Sequence, residues 1–113
     1  MDYIPSDQAP SRAEIDASTG PVLLEFGTPW CGICQAAQPR VAALLREHPA
    51  IRHIKVEDGP GLLLGRSFGV KLWPNFVFLK DGAVVRQLAR PDVAQLMEAF
   101  AALEGGAQGV ART

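Results

Sequence analysis

The sequence predicts an α/β domain: a central mixed β-sheet flanked by helices on both faces. Three observations predict it. Val22-Leu23-Leu24-Glu25-Phe26 is a near-continuous apolar run of strand length, the pattern of a strand covered on both sides. From Gly32 to Glu47, Ile33, Ala37, Val41, Leu44 and Leu45 recur at three- and four-residue spacing, the pattern of an amphipathic helix. Asp81-Gly82 lies between two more apolar runs and marks a two-residue β-hairpin. A chain of 113 residues suits one domain and closes a core without disulfide staples or a structural metal.

In order along the chain, residues 1–10 read as loop, broken by Pro5 and Pro10. Ser11-Arg12-Ala13-Glu14 fits a capping box that opens a short helix, with Ile15 as its apolar anchor. The strand at Val22–Phe26 follows, then the loop Gly27-Thr28-Pro29-Trp30 and the helix, which Pro39 is expected to kink and His48-Pro49 to close. Ile51 to Val56 alternates as an amphipathic strand. A turn at Glu57–Gly61 leads to a short helix from about Leu62 to Phe68. The hairpin strands are Phe76–Leu79 and Ala83–Leu88. Pro91 can occupy the first turn of a last helix, with Val93, Leu96, Met97, Phe100 and Leu103 on one face. Helical crossovers make the early strands parallel, and the hairpin makes the last pair antiparallel. Residues 1–104 are expected to form the domain, with 1–20 as a variable N-terminal segment, and 105–113 a flexible Gly-rich polar tail.

A net charge of -1 and a pI near 6.1 argue against nucleic acid as the main ligand, which calls for a clustered positive field. No apolar stretch has the length of a membrane span. Met1–Pro5 lacks the basic and apolar regions of a signal peptide, so a cytoplasmic location is expected. In that compartment a lone close pair of cysteines points to catalysis rather than to structure.

The pair is Cys31 and Cys34, the whole cysteine content of the chain, at the start of the long helix. Helix N-termini carry unpaired amide donors and a partial positive charge, so Cys31 is expected to ionise readily and attack a disulfide. Cys34, one turn inside, is expected to be covered and to resolve the mixed disulfide by attacking Cys31. Gly32 permits the tight turn and leaves room for a partner. Two other readings compete. Zinc needs about four ligands, and only His48 and His53 could add to the pair, one ending a helix and the other in a strand on its far side. A purely structural disulfide over so short a loop restrains the unfolded chain little.

On Phe26, Pro29-Trp30-Cys31-Gly32-x-Cys34, Pro39, Trp73-Pro74 and Lys80-Asp81-Gly82 the sequence resembles the thioredoxin family over about residues 21–104. The resemblance implies the thioredoxin fold, with the redox disulfide Cys31–Cys34 at a helix N-terminus. It implies a cis-proline at Pro74 lying against the pair, with the backbone just before it receiving an extended substrate by strand addition. Trp73 stands where a smaller apolar residue is usual, and is either a groove-shaping residue or a plain core tryptophan. Trp30 corresponds to the tryptophan that shields the site, with surface packing as its other reading. Glu25 falls at the buried acid's position, a candidate proton acceptor for Cys34 through water. An exposed strand end is the alternative. Lys55 falls in register with the lysine beside that acid, and the ungapped spacing to Pro74 matches, though an exposed strand face suits Lys55 as well.

Departures from the family pattern carry expectations of their own. Ile33 stands where reducing thioredoxins commonly carry proline, which restores a backbone amide near the Cys31 sulfur and predicts a less reducing potential. Arg90 aligns near a glycine that borders the groove. It could attract acidic partners or support Cys31, or be a solvated loop charge. Gly27 replaces an aromatic residue. The function expected is a monomeric thiol-disulfide oxidoreductase, a reductase of protein disulfides. It needs no bound cofactor or metal and takes electrons from a reductase or a low-molecular-weight thiol. The alternative is a binding or holdase module on the same fold with little redox turnover.

Overall fold

Burial of the apolar run sets the centre of the molecule. Pro21–Gly27 forms β1, and every residue from Val22 to Gly27 is buried. The computed structural model describes the backbone of residues 2–111 and the side chains of residues 2–104. β1 pairs in parallel with β2 (Arg52–Glu57) and antiparallel with β3 (Asn75–Lys80), which pairs antiparallel with β4 (Ala83–Ala89). The strand order is β2-β1-β3-β4, the expected mixed sheet.

Period-two alternation along the strands sorts the core into two halves. Leu23, Phe76 and Phe78 face α2 (Gly32–Glu47) and α4 (Val93–Ala111), where they meet Val41, Leu44, Leu96, Ala99, Phe100 and Leu103. Val22, Leu24, Phe26, Ile54, Val56, Val77 and Leu79 face the other way, against Ile15 of α1 (Arg12–Asp16) and Leu64 of α3 (Leu63–Ser67). Glu25, in step with Leu23, therefore belongs to the α2 side.

The ends of the elements follow local chemistry. Ser11 and Glu14 form the reciprocal capping box of α1. α2 runs through Pro39 and closes at His48, whose Nδ1 lies 2.9 Å from Glu104 Oε1. At the hairpin tip Asp81 and Gly82 both have positive φ, 51° and 80°, as a type I′ turn requires. Asp81 Oδ1 accepts from the Gly20 amide at 2.7 Å, which ties the tip to the start of β1.

Three expectations change. Pro91 does not start α4; Asp92 caps it, accepting from the Gln95 amide while Gln95 Oε1 accepts from the Asp92 amide. Val93 and Met97 are half-exposed, and Ala99 takes a core place instead. β2 is not amphipathic, since Ile54, Lys55 and Val56 are all buried. The reason is that residue Ile4 pairs in parallel with Val56 and covers the outer edge of β2, with Ile4 N–H donating to Lys55 O at 2.7 Å and Glu57 N–H to Ile4 O at 3.0 Å. The tail expected at residues 105–113 lies outside the described side chains, and the backbone of α4 extends to Ala111.

Candidate active site

The turn from β1 into α2 places the two sulfurs in unlike surroundings. Cys31 is the N-cap of α2, in extended conformation, and its Sγ accepts the Cys34 amide at 3.2 Å. An N–H directed at sulfur favours its anion, as the open end of a helix does. Cys34 lies under the first turn, 1% exposed against 9% for Cys31, and both are free thiols. Burial pushes the Cys34 thiol up to about 11, and its hydrogen bond with Cys31 adds to this. The Thr28 amide and the Tyr3 hydroxyl act in the opposite sense. Gly32 is not needed for the turn: it has an ordinary helical start, and a Cβ there would meet nothing within 4 Å. What it provides is open space beside Cys31.

Glu25 is fully buried, so the exposed strand end is excluded. Both its carboxylate oxygens are engaged: Oε1 lies 2.8 Å from His53 Nε2, and Oε2 accepts from Gln38 Nε2 at 2.8 Å. Gln38 Nε2 also reaches the Cys34 carbonyl at 3.0 Å, and its Oε1 accepts from Lys55 Nζ at 2.9 Å. Lys55, across the ladder from Glu25, is 5% exposed, which removes the exposed-face reading. A cleft of about 330 Å³, lined in part by Tyr3, Thr28, Gln38 and Lys55, opens onto this network and has room for several waters.

On the other side of Cys31, Trp30 is 73% exposed and meets Trp73 edge-on, ring centroids 5.8 Å apart. This contact ties the Trp73–Pro74 segment, whose peptide bond is cis, to the start of α2. Trp73 is not a plain core residue: it is partly exposed, and its Nε1 donates to Asp58 Oδ2 at 2.9 Å. Arg90 is exposed and in the left-handed region, φ 49°, but is not simply solvated. Its Nε donates to the Trp73 carbonyl at 2.8 Å, and its amide to the Pro74 carbonyl at 2.9 Å. Ile33 is 46% exposed beside the pair.

Sequence reasoning missed four contributors: His53, Gln38, Asp58 and Tyr3. His53 is two residues from Lys55 on β2, so alternation alone puts it on the same sheet face, and this signal was available. Gln38 is one helical turn after Cys34, which also places it on the same side of α2. Asp58 and Tyr3 left no such pattern. Among the described residues no group of three or more His, Cys, Asp or Glu side chains is gathered as for a metal ion.

The thioredoxin family model matches residues 5–102 of the chain. The chain belongs to the thioredoxin family. Among structures, the reduced form of thioredoxin 2 from Pseudomonas aeruginosa PAO1 superposes with a TM-score of 0.82 at 53% identity, covering 94% of this chain and 97% of that one. Thioredoxin Asp f 28 of Aspergillus fumigatus is 34% identical over 65 residues, 58% of this chain and 60% of that protein. The chloroplastic F-type thioredoxin of Spinacia oleracea is 30% identical over 87 residues, 76% of this chain and 46% of its own length. The matched stretch thus spans about half the length of these curated relatives. The thioredoxin-family assignment accounts for the mixed sheet, the helix that carries the pair and the place of Pro74 at the head of β3.

Proposed function

We propose that this thioredoxin-family protein is a thiol-disulfide oxidoreductase that reduces protein disulfides, with Cys31 as nucleophile and Cys34 as resolving thiol. The observation that carries the reading is the contrast between them: a capping sulfur that receives an amide, and a buried one behind it. The Cys31 thiolate attacks one sulfur of a substrate disulfide, whose S–S bond breaks, and the other substrate sulfur leaves as a thiolate that takes up a proton. Cys34 then loses its proton and attacks Cys31 Sγ. The mixed disulfide breaks, the second substrate thiol is released, and two electrons have passed to the substrate. Glu25 is the proposed acceptor of the Cys34 proton, through water in the cleft beside Gln38 and Lys55. Lys55 and Gln38 hold that carboxylate's surroundings.

Trp30, Gly32, Ile33, Trp73, Pro74 and Arg90 are the proposed substrate-facing surface. A reductase or a low-molecular-weight thiol in the cytoplasm would return the dithiol, with no bound cofactor. Trapping tests the reading. Cys34→Ser is expected to accumulate mixed disulfides on Cys31 when mixed with a protein disulfide, while the parent chain turns the same substrate over with dithiothreitol. A parent chain that leaves the disulfide untouched, with no trapped adduct in the variant, favours the binding-module alternative.

Ile33 predicts the redox poise. The amide that bonds the Cys31 sulfur is that of Cys34, and the Ile33 amide adds one more open first-turn donor to the helix end that Cys31 caps. Such a donor contributes about 0.5–1.5 kcal/mol to the reduced state, equivalent to roughly 10–30 mV for a two-electron couple. Ile33→Pro is expected to move the potential more negative by that amount in a glutathione titration; no change, or a shift the other way, removes the amide from the account.

A further inference from the structure

The N-terminal segment brings a group to the redox pair that the exchange scheme above does not use. The two backbone bonds of Ile4 to β2 fix the segment along the sheet edge and set the Tyr3 ring under Lys55, whose Nζ lies 4.3 Å from the ring centroid. The tyrosine hydroxyl is buried, and no hydrogen-bond partner of good geometry meets it. It lies above Gly27: a Cβ on that glycine would sit 2.6 Å from Tyr3 Oη and 2.8 Å from Cys34 Sγ. The absent side chain is thus what lets the hydroxyl and the inner sulfur share one space.

We infer that Tyr3 is the hydrogen-bond donor for the Cys34 thiolate, an unsatisfied hydroxyl held in place for the anion that forms when the mixed disulfide is resolved. The inference rests on the exchange reading proposed above and adds a residue to it. The anion appears where burial opposes it and bulk water does not reach, so a fixed O–H is worth more there than at the surface. A thiol accepts such a bond weakly; a thiolate accepts it strongly. Tyr3 keeps its own proton, because burial, and then the negative groups Glu25, Cys34 and Cys31 around it, push its ionisation far upward. It is therefore a donor and not the base. The Cys34 proton leaves toward Glu25 or the cleft, and Tyr3 rotates its O–H onto the sulfur. The titratable groups around this point are Cys31 at the N-cap of α2, Glu25 on β1 with His53 of β2 bonded to it, and Lys55 on β2, joined to Glu25 through Gln38; Asp2 and Glu57 line the cleft beside Tyr3.

Tyr3→Phe tests this, since it keeps the ring under Lys55 and removes only the hydroxyl. In the reduced protein, carbon-13 labelling of the cysteine Cβ atoms reads each sulfur separately. The Cys34 midpoint is expected to rise by about one pH unit. Resolution of a preformed mixed disulfide on Cys31 is expected to slow about 10-fold near neutral pH, with formation of that adduct unchanged. Gly27→Ala, which crowds the hydroxyl off the sulfur, is expected to move both readouts in the same direction. An unmoved Cys34 midpoint and an unmoved resolution rate in Tyr3→Phe overturn the inference. The titration needs no turnover. A parent chain that exchanges no disulfides, yet whose Cys34 midpoint moves in the variant, would retain the hydrogen bond and lose the exchange reading. A parent chain that exchanges normally with no effect of the variant does the reverse.

Discussion

Cys31→Ser is expected to lower turnover of a protein disulfide by at least about 10³-fold, roughly 4 kcal/mol of barrier. The reason lies in what the cap does. The Cys34 amide and the open turn of α2 are directed at the side chain of residue 31, and their benefit depends on an anion being there. A serine hydroxyl at the same place stays neutral near pH 7 and is a poor nucleophile toward sulfur. Cys34 cannot substitute, because it is 1% exposed and its ionisation is displaced to about 11. The fold is expected to be retained, since serine is a good N-cap and can accept the same amide. Turnover measured with dithiothreitol as electron source, beside circular dichroism of the variant, checks both halves. Activity within tenfold of the parent chain would falsify the assignment of Cys31 as nucleophile.

Gly82→Ala is expected to lower stability by about 3 kcal/mol, and the melting temperature by roughly 10–20 °C. Two effects add. The backbone at Gly82 has φ 80°, a left-handed conformation that costs a residue with a Cβ about 1–2 kcal/mol. A Cβ would also stand 1.9 Å from the Asp16 carbonyl oxygen at the end of α1, a backbone atom that has no side-chain rotation with which to retreat. The hairpin tip and α1 would have to separate, and the tie between Asp81 and Gly20 would strain with them. Gly20→Ala separates the two effects. Gly20 has φ 72° with nothing within 4 Å of a Cβ, so it is expected to show the conformational part alone, about 1 kcal/mol. Equal losses at the two positions, measured by urea unfolding, would mean that the contact with Asp16 contributes nothing.

The parts of this molecule that local chemistry determines could be read from the chain. The run around Leu24, the Ser11–Glu14 box, the helix from Gly32 to Glu47 and the Asp81-Gly82 tip are each specified by neighbours in sequence. What could not be read depends on register between distant segments. Lys55 could be read equally as an exposed strand residue or as the neighbour of Glu25, and it is buried beside that acid because a single residue pair, Ile4 with Val56, closes the edge. One such pair leaves no periodicity behind it. For the same reason Tyr3 looked like a loop residue. Asp58, in an apparent turn, was unreadable because its partner Trp73 arrives from across the sheet, and because Gly65 leaves the carboxylate room: a Cβ there would lie 2.3 Å from Asp58 Oδ1. Pro91 misled in a different way. Proline suits a first helical turn, but Asp92 with Gln95 makes a complete cap one residue later, and the cap decides the boundary.

The chain has only two indoles, Trp30 and Trp73, and they touch, one next to the leading sulfur and one just before Pro74. Light absorbed by this protein near 290 nm is therefore absorbed almost entirely beside the cysteine pair. Emission and near-ultraviolet dichroism are expected to follow the surroundings of that pair directly, so formation of a Cys31–Cys34 disulfide can be timed in the unlabelled chain, without a dye to perturb the surface being watched.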